Sequence, residues 1–150
     1  MSIPDQIEQM IADLCESQKY AVLATQRDGR PYLSLLAFVS TPDMRELIFA
    51  TERDTTKYVN LVAHPRVAFL IDNRSNRSLD TEDGMAATVL GAAEEVSEDE
   101  REQVQRVYLA KHPHLDGFVG SHSCALVRVK VERYVVAIGI GEVHVVDTSA

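Results

Sequence analysis

The segment ERDTTK, residues 52–57, contains the side chains best suited to bind an anion. Its two threonines provide hydroxyl donors, and Lys57 provides a positive charge just after an apolar run that predicts a strand. We expect Asp54 to cap a helix over residues 55–63, so that the free N–H groups and dipole of its first turn face the same anion. The segment therefore predicts a phosphate cradle, although the same residues would also suit an ordinary solvated helix start.

Histidines and cysteines provide the other candidate chemistry. Their spacing fits no zinc signature, so we expect no metal site, although a haem iron stays an alternative for the histidines at positions 64, 112, 114, 122 and 144. Cys15 and Cys124 lie far apart, which favours reduced core thiols, while a disulfide between them stays open. The chain has no Gly-rich dinucleotide fingerprint, P-loop or nucleophile elbow.

Length and charge limit the possible partners. The 150 residues are most simply one domain, 1–150, and the net charge of −8 without a basic stripe argues against nucleic-acid binding. The N-terminus has no basic region followed by an apolar run, and no apolar run is long enough for a membrane span. We therefore expect a cytoplasmic protein with no membrane partner, in which a local basic pocket holds any anionic ligand.

Strand patterns recur along the chain and are often separated by tight turns. Asp28-Gly29 predicts a hairpin, and Gly91 interrupts one of the later strands. The segments predicted as strands are 20–25, 31–39, 46–51, 67–71, 85–96, 123–136 and a short terminal strand at about 143–146.

Three segments predict helices. Residues 4–16 place one apolar stripe on a helix, and in residues 55–63 we expect Tyr58, Leu61 and Val62 to be buried. Ser97 and Glu100 suggest a capping box for a helix that runs to about residue 111, with Val107 and Tyr108 as its anchors. The polar segment 73–83 predicts a loop. The pattern indicates a mainly β (α+β) fold, an antiparallel barrel of six or seven strands flanked by about three helices.

The order of these elements resembles the FMN-binding split-barrel superfamily, the pyridoxamine 5′-phosphate oxidase-like proteins. The matching residues are LATQRDGRPYLSLLAF at 23–38, IFATERDTTKYVNLVAHPRVAFLID at 48–72, and AATVLGAAEEV at 86–96. The remainder, from Tyr108 to Val146, is similar to the haem-utilisation branch of the same superfamily. The resemblance covers nearly the whole chain and implies a split barrel with Greek-key character.

The resemblance implies a homodimer with FMN at the subunit interface. The isoalloxazine ring would lie along the second strand, beside Ser34, Leu35, Leu36 and Ala37. The end of the third strand, Ala50 and Thr51, would also contact the flavin, and Thr56 and Lys57 would bind its phosphate or ribityl chain. Thr56 stands where the oxidases have Arg, a loss for which Arg53 could compensate.

Two departures argue against pyridoxamine phosphate oxidation itself. The chain contains no Trp and ends in HVVDTSA, where the oxidases have a Trp and an Arg-x-Arg-type segment. Ala86 replaces a polar flavin contact of the oxidases.

The sequence therefore predicts a flavin-dependent oxidoreductase for an unknown small molecule. A flavin itself carries the hydride, so no catalytic residue is assigned. A haem-binding or haem-degrading protein and a non-catalytic flavin-binding regulatory module are the alternatives, and a deazaflavin could replace FMN in the same fold.

Overall fold

Seven β-strands and five α-helices make up the computed structural model, which describes residues 3–148. The strands are β1 (Tyr20–Arg27), β2 (Arg30–Ser40), β3 (Glu46–Glu52), β4 (Arg66–Asp72), β5 (Met85–Glu95), β6 (Cys124–Ile138) and β7 (Glu142–Asp147). The helices are α1 (Ile3–Ser17), α2 (Thr56–Ala63), α3 (Asp80–Asp83), α4 (Glu98–Lys111) and α5 (Asp116–Val119), with a 3₁₀ turn at Pro113–Leu115. Within residues 3–148, no helix has both the length and the hydropathy to cross a membrane.

The strands form one antiparallel sheet that closes on itself. Neighbours follow the order β3-β2-β1-β4-β5-β6, and β6 pairs back with β3 to complete a six-stranded barrel. The seventh strand extends the sheet beyond β6. Strand β4 returns through α2 to lie beside β1, which is the Greek-key order. The predicted antiparallel split barrel is therefore confirmed.

Two glycine positions shape the sheet as the sequence suggested. Asp28 and Gly29 both have positive φ, 53° and 76°, which is the geometry of a two-residue hairpin turn. At Gly91 the register between β5 and β6 shifts, and an added Cβ would lie 2.4 Å from the Lys130 carbonyl oxygen. Gly91 is thus required by the close approach of the neighbouring backbone.

The barrel interior is filled by alternate residues of all six barrel strands. Leu23, Phe38, Phe69 and Tyr134 are all at most 1 % exposed, and the ring of Phe69 meets that of Phe49 edge to face. Helix α1 adds Ile7, Ile11 and Leu14 to the same cluster, whereas Met10, the fourth residue of its predicted apolar stripe, is 36 % exposed.

Several details of the helix predictions need correction. Thr55, not Asp54, is the N-cap of α2, and Val62 is 62 % exposed while Asn60 is buried. Ser97 is the N-cap of α4, but its side chain makes no capping bond, so the capping box is absent.

Helix α4 is anchored by Val104 and Tyr108, whereas Val107 is 38 % exposed. The segment predicted as the loop 73–83 ends in the four-residue helix α3, and α5 is a second short helix that the apolar pattern did not indicate. Helices of one turn carry too few residues to show a periodicity.

Candidate functional site

A network of hydroxyl groups builds the corner between β3 and α2. The Thr55 hydroxyl donates to the Glu52 carbonyl at 2.8 Å, accepts from the Tyr58 amide at 3.4 Å, and lies 3.0 Å from the Thr51 hydroxyl. Thr51 is 1 % exposed, so its side chain braces the turn from the inside. The cap falls at Thr55 because its extended backbone, φ −89° and ψ 155°, directs the hydroxyl back over the first turn.

The first turn of α2 keeps free donors for an anion. Within residues 3–148, the amides of Thr56 and Lys57 have no hydrogen-bond acceptor, and the half-buried Lys57 side chain forms no ion pair. Thr56 is exposed, so its hydroxyl also faces solvent at this turn. Two amides, one hydroxyl, one ammonium group and the positive end of the helix dipole therefore belong to the same helix turn.

The guanidinium of Arg53 is engaged in an ion pair and is not free for the role that the sequence suggested. Its guanidinium contacts the Glu95 carboxylate at 2.8 Å and the His122 carbonyl at 2.8 Å. The Tyr58 hydroxyl donates to the same carboxylate at 2.5 Å. Arg53 lowers the pKa of Glu95, and Glu95 raises the pKa of Tyr58. The cluster fastens both sides of the corner to the end of β5, which leaves Lys57 as the cation without a counter-ion.

The barrel is open beside this corner, where β2 and β3 separate. The two strands pair only from Phe38 to Ser40 with Leu47 to Phe49, although β2 extends back to Arg30 and β3 runs on to Glu52. Residues 30–36 of β2 therefore pair with β1 on one edge and have no strand partner on the other, whereas the Ala37 carbonyl accepts from the Tyr108 hydroxyl. Such an edge offers amide and carbonyl groups to a planar ligand.

The residues predicted beside a flavin ring differ in their orientation. Leu35 points outward and is 73 % exposed, and the half-buried Ala37 lies against α4. The side chain of Leu36 is in the barrel core, and that of Ser34 is half-buried on the same inward side. Ala50, 6 % exposed, packs in the cluster that Ala37 contacts. Leu36 and Ala50 thus present no exposed side chain to a ring.

Histidine and cysteine side chains do not converge in the described residues 3–148, where no group of three or more potential metal ligands exists. The buried His112 donates from Nε2 to the Phe38 carbonyl at 2.8 Å, its Nδ1 has no partner, and burial lowers its pKa. Cys15 and Cys124 are free and buried, and burial raises the pKa of Cys15 to about 11. Neither thiol has the character of a nucleophile.

A broad apolar surface, here called the uncovered face, lies on the outside of the barrel. One row of it runs across six strands in register: Leu35, Val22, Leu70, Thr88, Val135 and Val145. At about 4.8 Å per strand this row is about 24 Å long. None of its outward-facing members is buried, and the full set is Val22, Ala24, Leu33, Leu35, Ala68, Leu70, Thr88, Leu90, Val135, Ala137, Val143 and Val145.

The model of the family described as pyridoxamine 5′-phosphate oxidase matches residues 7–144. The chain belongs to this family. The match agrees with the resemblance seen in the sequence and spans the six barrel strands, the α2 corner and the first half of β7. None of the curated proteins matches the chain.

Solved structures of similar shape share the fold of this family member at low sequence identity. A haem-binding protein from Mycobacterium smegmatis has a TM-score of 0.81 and 18% identity over 98% of this chain and 58% of that one. A FAD-binding protein from Mesorhizobium loti has a TM-score of 0.70 and 18% identity over 86% and 90%. HutZ, a haem storage protein from Vibrio cholerae, has a TM-score of 0.69 and 20% identity over 87% and 93%. This family member thus spans little more than half of the mycobacterial protein.

The uncovered face was not predicted from the sequence of this family member, although a signal for it exists. Strands β2 and β7 carry apolar residues on both faces, as in Leu33, Leu35 and Leu36 or Val143, Val145 and Val146. Strands that are apolar on both sides are typical of sheets covered on both faces.

Proposed function

We propose that the protein is a homodimer that binds FMN between its subunits and uses it to oxidise or reduce a small molecule. The observation that carries this proposal is the α2 corner, where two free amides and the unpaired Lys57 stand beside the open backbone edge of β2. Family membership supports a flavin, and one structure of the same fold is a FAD-binding protein.

The FMN phosphate would bind at the first turn of α2. The amides of Thr56 and Lys57, the Thr56 hydroxyl and the Lys57 ammonium would donate to its oxygens, and the helix dipole would favour its charge. This local site is needed because the net charge of the chain is −8. The cluster of Arg53, Tyr58 and Glu95 would hold the corner in place without contacting the phosphate.

The isoalloxazine ring would lie along residues 34–37 of β2, in front of the open edge. Backbone donors and acceptors of this edge would meet the polar side of the ring, and contacts of this kind tune flavin electronics. Leu35, on the outer surface, would contact the ring or the second subunit. When bound, FMN supplies hydride transfer, and these residues orient it and exclude water.

A second copy of the chain is the proposed occupant of the uncovered face. Stable interfaces bury about 800 Å² per partner, and a row about 24 Å long across six strands can provide such an area. Leu33 and Leu35 are 66 % and 73 % exposed, which is unusual for two leucines of one strand in a monomer. The two subunits would together shield the ring from solvent.

Analysis of the chromophore tests this proposal. We expect the purified protein to absorb near the flavin maxima, and heat release followed by mass measurement to identify FMN rather than a deazaflavin. Protein purified without chromophore should bind added FMN at one molecule per chain. A colourless protein that shows no saturable FMN binding would refute the flavin site, whereas binding without turnover by any donor would indicate a regulatory flavin module.

Haem is the second candidate ligand, because two proteins of the same fold are a haem-binding and a haem storage protein. Two facts disfavour an axial histidine. None of the five histidines belongs to the uncovered face in the described residues, and His112 is fixed by Phe38. A haem protein would show a Soret band after haemin is added, and loss of that band on replacing His114 or His122 would identify the iron ligand.

A further inference from the structure

A cavity of about 490 Å³ lies between α1, the end of β2 with the turn that follows it, and the last turns of α4. It shares no residue with the α2 corner or the uncovered face. Small-molecule sites in proteins have volumes of about 300–1,000 Å³. Most of the wall is apolar, with Val39, Met44 and Val107 contributed by three separate segments. The cavity has the size and lining of a site for a small apolar ligand.

The cavity accounts for the exposure of Val107. Its neighbours on α4, Val104 and Tyr108, are 6 % and 1 % exposed, whereas Val107 is 38 % exposed. Val107 is one of the residues that line the cavity, so its side chain has no full set of protein contacts. An apolar group placed there would remove this surface from water.

A cation lines the same cavity. The Lys111 ammonium donates to the carbonyls of Cys15 at 2.9 Å and Gln18 at 2.7 Å, and it lies 4.2 Å from the centre of the Phe38 ring. The two carbonyls use two of the three donors of the ammonium group, and a ligand carboxylate would take the third in place of the contact with the Phe38 ring. No carboxylate in these residues forms an ion pair with it, and burial lowers its pKa. A half-buried cation of this kind favours an anionic ligand.

Two further side chains define the class of anion. Glu16 also lines the cavity and raises the pKa of Lys111, and its carboxylate repels a ligand with two negative charges about twice as strongly as a ligand with one. The buried Cys15 thiol has a pKa raised to about 11, so it stays protonated and a covalent adduct is not expected. The site therefore suits one negative charge and non-covalent binding.

We propose that this cavity binds a small monocarboxylic acid with an apolar tail. The carboxylate accepts a hydrogen bond from Lys111, and the tail lies against Val39, Met44 and Val107. This site is independent of the flavin proposal, because the two have no residue in common.

Calorimetric titration with octanoate as the probe tests the site. We expect saturable binding at one octanoate per chain. Octan-1-ol, which lacks the charge, and octyl phosphate, which carries more of it, should each bind about tenfold more weakly or worse. Equal affinity for octanol and octanoate would overturn the role assigned to Lys111, and the absence of saturable octanoate binding would overturn the proposal.

Two variants locate the binding. Val107→Trp should fill the cavity from a position that is already partly exposed and abolish octanoate binding, whereas Val62→Trp on α2 should bind as the wild type does. Lys111→Met should weaken octanoate binding about tenfold and leave octanol binding unchanged. If Lys111→Met fails to fold because α1 loses its C-terminal hydrogen bonds, the Val107→Trp result decides alone. Unchanged octanoate affinity in Val107→Trp would place the ligand elsewhere and refute the cavity site.

Discussion

Strand β2 shows two different environments on the same outer surface of the barrel. Towards its C-terminal end, Ala37 and Val39 lie beneath α4, and the Tyr108 hydroxyl donates to the Ala37 carbonyl at 3.1 Å. Towards its N-terminal end, Leu33 and Leu35 point in the same direction and are 66 % and 73 % exposed. The C-terminal part of this apolar strand surface, here called the covered half, is thus covered by the chain itself. The N-terminal part, here called the bare half, is exposed.

The difference is not one of composition, because both halves are apolar. The covered half continues into Ile48, Ala50 and Leu126, each at most 6 % exposed, under α4 and α5. The bare half continues across β1, β4, β5, β6 and β7 as the uncovered face. Since exposed apolar area of this extent marks an interaction site, we infer that a second copy covers it as α4 covers the rest.

The largest effect is expected from removing the main anchor of the covered half. Tyr108→Ala should lower the free energy of unfolding by about 3–5 kcal/mol, since a fully buried aromatic ring is lost. Urea denaturation measures the change, and Val62→Ala, at a position 62 % exposed, should stay within about 0.5 kcal/mol of the wild type. A loss below about 1 kcal/mol for Tyr108→Ala would show that α4 does not cover the strand as described.

A substitution in the bare half should weaken dimer formation and leave the stability of the monomer almost unchanged. We expect Leu35→Asp to weaken the dimer by about 2 kcal/mol or more, while the monomer keeps its stability to within about 0.5 kcal/mol. Sedimentation equilibrium measures the dimer, and Met10→Asp on α1 is the matched control. If Leu35→Asp unfolds the chain, or leaves association unchanged, the two halves do not differ in the way proposed.

Among the described residues of the corner next to the bare half, Lys57 is the cation that forms no ion pair, and its replacement tests the site. Lys57→Ala should weaken FMN binding by about 1.5–3 kcal/mol, the range for a hydrogen bond to a charged group. Fluorescence titration measures the affinity, and Lys130→Ala, which removes an exposed cation paired with Glu94, should leave it unchanged. An unchanged affinity in Lys57→Ala would remove this residue from the site.

The smallest expected effect is a dependence of the free energy of unfolding on pH, which arises in the covered half. Burial lowers the pKa of His112 in the folded protein, so the unfolded chain binds its proton first as the pH falls below about 6.5. Stability should therefore decrease from pH 6.5 downwards, by at most about 1.4 kcal/mol per pH unit for this one proton.

The control for this pH dependence is His112→Asn, whose amide can still donate to the Phe38 carbonyl. The variant should no longer lose stability between pH 6.5 and about 5. It should still lose stability at lower pH, where carboxylates such as Glu95, whose pKa is lowered, become protonated. Thermal unfolding between about pH 3 and 8 measures both proteins, and identical profiles would exclude His112 as the cause.

Local patterns in the sequence were sufficient for most elements of the fold. An apolar run with β-branched and aromatic residues identified β1, alternation identified β6, and Asp28-Gly29 identified the hairpin because both residues tolerate positive φ. The cap of α2 was assigned one residue early, since Asp54 and Thr55 are both good N-caps and only the backbone geometry distinguishes them.

The relations that decide the site are non-local and could not be predicted in this way. Closure of the barrel pairs β3 with β6. The ion pair that removes Arg53 from the candidate phosphate site joins residues 42 positions apart. No periodicity indicates that Val107 faces a cavity while Val104 is buried, because both lie on the apolar side of α4.

Sedimentation velocity recorded together at a flavin wavelength and at 280 nm tests whether the protein is a homodimer that holds flavin. We expect one boundary at both wavelengths, with twice the 16.7 kDa mass of the chain and one flavin per chain. A flavin boundary that stays with free cofactor, or a protein boundary at the mass of one chain in the presence of saturating FMN, would contradict it.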